Sequence, residues 1–317
     1  MIRFRLSACL SACLGAALLA GALAACSPLS LVNAVSPAGA ARATAAIPYA
    51  PGERHMLDVY APSAPAAPAA GRAAPVIVFF YGGNWVSGKR EDYAFVGRAL
   101  AARGFVVVIP DYRLYPQVRY PDFLYDAAQA VAWTERSIGR YGGDPRQVYV
   151  MGHSAGAYNA AMLALDGRWL GREGIKPDSL RGWIGLAGPY DFLPIENQTT
   201  RPVFSYPDTP PDSQPAVHVS RAAPPALLIA PRHDDTVDPV RNTGGLAARL
   251  RAAGVPVTEA YYDGVGHATL VVSLSASLRR LAPTLDAVTD FVRRDGASIA
   301  PAVSRDENGR RTADRDR

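Results

Sequence analysis

Apolar runs and amphipathic stretches alternate from about residue 56 to residue 293, and that rhythm predicts the elements. Met56-Leu57-Asp58-Val59-Tyr60 alternates in part between apolar and polar positions, which predicts an early edge strand. Val76 to Tyr81 (VIVFFY) is a continuous β-branched and aromatic run, the pattern of a strand buried on both faces. Residues 92–103 set Phe95, Val96, Ala99 and Leu100 on one helical face, with Gly104 as C-terminal cap. Phe105 to Ile109 is the next buried strand, stopped by Pro110. A helix over 122–138, a turn at Gly142-Gly143-Asp144-Pro145, a strand over 147–151 and a helix from Ala155 to Leu165 follow. Trp183–Leu186, Ala226–Ala230 and Thr258–Tyr262 predict further strands, and 240–253 and 278–293 further helices. Short strands alternating with helices predict an α/β fold: a mainly parallel central sheet with helices on both faces. The rhythm breaks between Tyr190 and Ser220, where Pro207 to Pro215 is turn-rich, so residues 190–220 read as a lid-like insertion.

The ends of the chain read differently. Arg3 and Arg5 precede an uncharged apolar run, Leu6 to Ala25, which is the pattern of a secretory signal. A membrane-spanning anchor is the competing reading of such a run. Leu23-Ala24-Ala25-Cys26 resembles the lipobox of bacterial lipoproteins, which implies cleavage after residue 25 and acylation of Cys26. Cys9 and Cys13 would leave with residues 1–25, so the mature chain would carry no disulfide in a compartment that permits one. Ser27 after the Cys resembles the outer-membrane sorting class of Gram-negative bacteria. The expectation is an exported protein, lipid-anchored at the cell envelope in the outer membrane and facing the periplasm. Residues 26–46, rich in Ala, Ser and Pro, read as a tether to a domain over 47–293, and 294–317 as a solvated charged tail.

Composition narrows the classes. Hydrophobic residues make up 49% of 317 and charged residues 19%, enough to bury a sizeable core. Net charge is +5, or +3 once Arg3 and Arg5 depart, with no basic stripe interleaved with aromatics, so nucleic acid is not an expected partner. His, Cys and Asp do not cluster at zinc-ligand spacing, so no metal or other cofactor is expected.

The chemistry lies in four segments. Gly152-His153-Ser154-Ala155-Gly156 is a G-x-S-x-G motif between a predicted strand and a predicted helix, the context such a motif requires. A serine hydroxyl is a weak nucleophile and needs an exposed position beside a base. Gly152 and Gly156 permit the sharp turn, where a Cβ would collide with backbone. Of five histidines (His55, His153, His218, His233, His267), His267 follows the last predicted strand, where a loop can bring its imidazole over the serine. His153 would point away at the turn. The acid that orients the imidazole should follow the strand Ala226–Ala230, where Asp234, Asp235 and Asp238 stand. Asp234 is the choice, Asp235 the alternative, and Asp238 a helix cap. Gly82-Gly83-Asn84-Trp85 after VIVFFY can offer amides to an oxyanion: Gly83 and Asn84, together with Ala155.

With these parts in the order Ser, Asp, His, residues 47–292 resemble the α/β-hydrolase esterases, near the hormone-sensitive-lipase-like and feruloyl-esterase-like branch. Asp111-Tyr112-Arg113-Leu114, Gly143-Asp144-Pro145 and Gly188-Pro189-Tyr190-Asp191 look like that branch's supporting loops, with Asp111 and Arg113 read as an ion pair. The chain departs at Tyr81, where the family pattern often has the histidine that helps hold the oxyanion loop. The resemblance implies acyl transfer through an acyl-enzyme, and the shortness of the 190–220 insertion favours small or medium soluble esters over bulk triglyceride. Trp85, Tyr190, Phe192, Leu193 and Phe204 are candidates for an apolar pocket. An amide hydrolase on the same fold, or a lipoprotein that only binds, are the competing readings.

Overall fold

The computed structural model describes residues 28–37, 41–63 and 73–296. Residues 1–25, Cys26 and nearly all of the 294–317 segment lie outside the described residues. Eight strands form one sheet in the order β1-β2-β4-β3-β5-β6-β7-β8. They are β1 (Ala41–Pro48), β2 (Met56–Pro62), β3 (Ala74–Phe80), β4 (Val106–Pro110), β5 (Gly143–His153), β6 (Leu180–Leu186), β7 (Ala226–Pro231) and β8 (Val257–Tyr262). The first two pairings, β1 with β2 and β2 with β4, are antiparallel; all the others are parallel. This is the mainly parallel, helix-flanked sheet that the alternating pattern predicts, and the α/β-hydrolase fold that the resemblance implies.

The uninterrupted apolar runs become the centre of the sheet. Val76, Ile77 and Val78 of β3 pair with Val106, Val107 and Val108 of β4 on one side and with Val148, Tyr149 and Val150 of β5 on the other. All nine are fully buried or nearly so. Each buried side chain of this size contributes about 1.5–3 kcal/mol relative to exposure. The helices are α1 (Pro28–Val35), α2 (Ala94–Ala101), α3 (Asp122–Ser137), α4 (Ala155–Leu165), α5 (Gly167–Arg172), α6 (Gly245–Ala252), α7 (His267–Val272) and α8 (Thr284–Arg293). On one side α2 packs with α8, joined by an Arg103–Asp286 ion pair; on the other, α3, α4 and α5 pack together. Every residue of α4 is buried, which its small side chains (AGAYNAAMLAL) allow.

Four expectations are corrected. The segment 26–46 is not a featureless tether. Leu29 and Val32 of α1 pack against the core, and Asn33 Oδ1 accepts from the Phe95 amide at 2.8 Å, satisfying a first-turn donor of α2. Alanine-rich composition masks that helical spacing. β1 then takes the sheet edge, so β2 is one strand further in; Asp58 of β2 receives the Ala46 amide at 2.8 Å beside the register shift between Thr44 and Ile47. The last helix begins only at Thr284, because Pro283 ends the possibility of an uninterrupted helix from 278. Asp111 and Arg113 do not pair with one another: Arg113 binds Asp126 at 2.6 Å, and Asp111 binds Arg90 at 2.5 Å.

Candidate active site

Strand β5 enters the site and α4 leaves it, with Ser154 at the corner. Its backbone sits at φ 55°, ψ −123°, a region non-glycine residues rarely occupy. The two flanking glycines make the turn possible. A Cβ on Gly152 would lie 2.1 Å from the Gly156 carbonyl oxygen, and one on Gly156 would lie 2.0 Å from that of Phe80. Helix α4 is thereby pressed against the end of β3.

His267 stands where β8 gives way to α7, and its Nε2 lies 2.8 Å from Ser154 Oγ. Its Nδ1 lies 2.8 Å from Oδ2 of Asp234, whose carboxylate is fully buried. The other Asp234 oxygen accepts the amides of Thr236 and Val237 at 2.8 and 3.0 Å. Burial alone would raise this carboxyl, but the His267 hydrogen bond and charge, with those two amides, hold it below the ordinary carboxylate range. Asp235 is exposed and bonds the Thr236 hydroxyl, so the loop brings Asp234 rather than Asp235 to the imidazole. Asp238 accepts from Val240 and Arg241 and caps the turn that follows.

The loop after β3 is coiled tightly. Gly83, Asn84 and Trp85 all have positive φ (132°, 52° and 59°), and Gly83's carbonyl accepts from Val86 and Ser87. A Cβ on Gly83 would meet Ser87 O at 2.2 Å. Tyr81, at the loop's base, donates to Asp111 Oδ1 at 2.8 Å and accepts from Arg54 at 2.7 Å; Arg54 also reaches Gly88 O at 2.8 Å. The hydroxyl at the departing position therefore ties the loop into a buried ion-pair network.

Above Ser154 opens a cavity of about 250 Å³. Asn84, Trp85 and Ala155 line it beside the serine; Phe192, Pro194 and Ile195 of the insertion form an apolar wall, and Asp191, Glu196 and Arg241 bring charge. Three of the five expected pocket residues, Tyr190, Leu193 and Phe204, stand elsewhere. Tyr190 is fully buried edge-on to Trp183, and Phe204 is buried 4.9 Å from the Trp85 ring centroid, so it supports the wall from behind. Leu193 and Gly83 are not among the lining residues either. Aromatic identity marks both core and pocket, and the sequence alone does not separate them. Among the described residues no group of His, Cys, Asp and Glu is arranged to hold a metal ion.

A family model described as BD-FAE matches residues 57–250, a span that includes Ser154 and Asp234 and stops before His267. The chain belongs to the BD-FAE family. Among its relatives, a "probable isoprenylcysteine alpha-carbonyl methylesterase" of Oryza sativa subsp. japonica is 30% identical over 247 residues, covering 69% of this chain and 56% of the relative. The esterase LipC of Mycobacterium tuberculosis is 30% identical over 258 residues, covering 73% and 62%. The chain thus spans less than two thirds of either relative's length. A solved carbohydrate esterase from gut microbiota, in truncated form, shares the fold with a TM-score of 0.67 at 18% identity, covering 82% of this chain and 99% of that one.

In this BD-FAE chain two site residues escape the sequence pattern. Asn159, a fully buried amide on α4, accepts the Trp85 indole N–H at 3.0 Å and fixes the residue after Asn84. Its one signal is a polar residue in an otherwise apolar helix. His153 does not point away: its Nε2 lies 2.9 Å from the His267 carbonyl oxygen. The remaining histidines lie against other groups or at the surface: His55 beside Asp126, His218 beside Asp212, and His233 exposed.

Proposed function

We propose that this chain is a serine carboxylesterase acting on small to medium esters through an acyl-enzyme. Ser154 is the nucleophile, His267 the general base and acid, and Asp234 the carboxylate that orients His267. The amides of Gly83, Asn84 and Ala155 receive the oxyanion. One observation carries the reading: an unbroken path from Ser154 Oγ through the imidazole to a buried carboxylate, two contacts of 2.8 Å, at the floor of an open cavity. The names of the curated relatives agree with it.

In the reaction, Nε2 takes the hydroxyl proton as Oγ attacks the ester carbonyl. Nδ1 keeps its proton in the hydrogen bond to Asp234, which holds the tautomer and stabilises the imidazolium. Main-chain N–H groups donate hydrogen bonds to the developing oxyanion, each worth roughly 3–4 kcal/mol in known cases. His267 then protonates the departing alkoxide, and water repeats the sequence. The Trp85, Phe192 and Ile195 walls suit an apolar acyl or alcohol group of modest size.

The same proposal places the enzyme outside the cytoplasm: cleaved after residue 25, acylated at Cys26, held at the envelope and facing the periplasm from the outer membrane. Two or more acyl chains anchor a protein stably, whereas one does so marginally. The support is the basic start, the apolar run and Leu23-Ala24-Ala25-Cys26. Loss of radiolabelled palmitate from a Cys26→Ser variant is the check.

Hydrolysis of p-nitrophenyl acetate, butyrate and palmitate, with matched anilides, tests the activity. Short esters should be cleaved fastest by the wild type and not by Ser154→Ala. Faster cleavage of the anilides, or equal rates from the alanine variant, would overturn the reading.

A further inference from the structure

We infer that His153 is a positioning residue, a neutral histidine inside the nucleophile elbow that holds the main chain of His267 and so sets the imidazole over Ser154. The inference rests on the serine-hydrolase reading of the same site.

His153 is the residue before Ser154, so β5 fixes its backbone together with the nucleophile's. Its ring is almost wholly buried, and Nε2 meets the His267 carbonyl oxygen at 2.9 Å. A carbonyl only accepts, so Nε2 carries the ring's proton and donates it. Nδ1 is then bare; it is buried, and no described residue bonds it. The space beside it is closed by Gly82, where a Cβ would lie 3.1 Å away. Protonating Nδ1 would bury a donor without an acceptor.

The electrostatic setting points the same way. The groups facing the ring are His267, at 5.0 Å between ring centroids, and Asp234 behind it. Burial first, and His267's charge second, push the His153 pKa down to about 3. His267 must become an imidazolium in each half-reaction, and a second cation 5.0 Å away would oppose it. A histidine that stays neutral supplies the donor without the charge.

The contact also joins two segments 114 residues apart. The base loop has a local fastening, the Gly266 amide on the Thr269 hydroxyl at 2.7 Å, but that bond ties α7 only to itself. Beside the side-chain contact of His267 with Ser154, the His153 bond references the loop's main chain to the elbow. A catalytic group displaced by about 1 Å can cost on the order of 100-fold in rate.

The test compares His153→Gln with His153→Asn, in the full-length chain. Both are neutral amides of similar polarity; only glutamine is long enough to reach the His267 carbonyl. We expect kcat within about fivefold of wild type for His153→Gln, and about 10- to 100-fold lower for His153→Asn, with KM within about twofold in both. The rate of fluorophosphonate labelling at Ser154 should fall in the same proportion. That rate is read per molecule of folded protein, so partial misfolding does not mimic the effect. Equal rates in the two variants, or a change confined to KM, would overturn the role of His153. Failure of wild-type Ser154 to react at all would instead overturn the serine-hydrolase reading.

Discussion

Replacing Tyr81 by phenylalanine isolates the device that stands where the family pattern often has histidine. The ring would stay in place, stacked between Tyr93 and Tyr112 at centroid distances of 5.6 and 4.7 Å, so no cavity forms. What disappears is one hydroxyl that donates to Asp111 at 2.8 Å and accepts from Arg54 at 2.7 Å. Burial, aided by Tyr112 and Asp111, holds its pKa well above the ordinary tyrosine value, so it acts as an intact hydroxyl at every working pH. Hydrogen bonds to charged partners are worth about 1.5–3 kcal/mol each. Both partners keep other contacts, Asp111 with the Arg90 side chain and amide, and Arg54 with Gly88 O and Tyr112 O. The expected loss is therefore nearer 2 kcal/mol than the sum of two full bonds. Urea unfolding should show that loss, and melting should fall by about 4–8 °C for a domain of this size. Because Arg54 also holds Gly88, kcat should drop several-fold while KM stays near wild type. A variant within 0.5 kcal/mol of wild type with unchanged kcat would refute the idea that this hydroxyl organises the oxyanion loop (about 0.5 kcal/mol is ordinary surface-mutation noise).

Other expectations follow from single contacts. Asp234→Asn should lower kcat by about 10⁴, the scale seen when a triad carboxylate is neutralised elsewhere, whereas exposed Asp235→Asn should change it less than about threefold; parallel steady-state kinetics distinguish them. Gly156→Ala places a Cβ 2.0 Å from Phe80 O, so the folded yield in a thermal or urea transition should collapse rather than shift modestly. Asn159→Leu removes the acceptor of the Trp85 indole and should cost about 1–2 kcal/mol in unfolding free energy, with a lower kcat. For acid stability the sign is set by His153, whose folded pKa of about 3 lies below its ordinary value. As pH falls below about 6.5 the unfolded chain takes up a proton the folded one refuses, so stability declines by up to about 1.4 kcal/mol per pH unit from this group. Urea titrations at pH 5 and 7 should show that slope reduced in His153→Gln.

The parts of this fold that were legible in the sequence are those where one physical demand dominates. VIVFFY and FVVVI must be buried on both faces, and they form adjacent central strands. Gly152 and Gly156 have no substitute at a turn pressed against β3, so the elbow announces itself. His267 and Asp234 could be placed because each follows a predicted strand. Legibility ends where partners are distant and residue type is ambiguous. Asp111 offers no hint that it bonds Arg90 and Tyr81 rather than Arg113. Tyr190 and Phe204 are as aromatic as Phe192, and only packing sends them inward while Phe192 lines the cavity. In α1, Leu29, Val32 and Asn33 carry a helical message diluted by Ala and Ser.

In the proposed reaction Ser154 is a nucleophile activated by His267. Intact-mass and peptide mass spectrometry after exposure to a fluorophosphonate addresses it directly. One equivalent should attach, on the peptide bearing Ser154, and His267→Ala should react at least ~10²-fold more slowly. Attachment at another residue, or undiminished labelling without the imidazole, would rule out Ser154 as a nucleophile activated by His267.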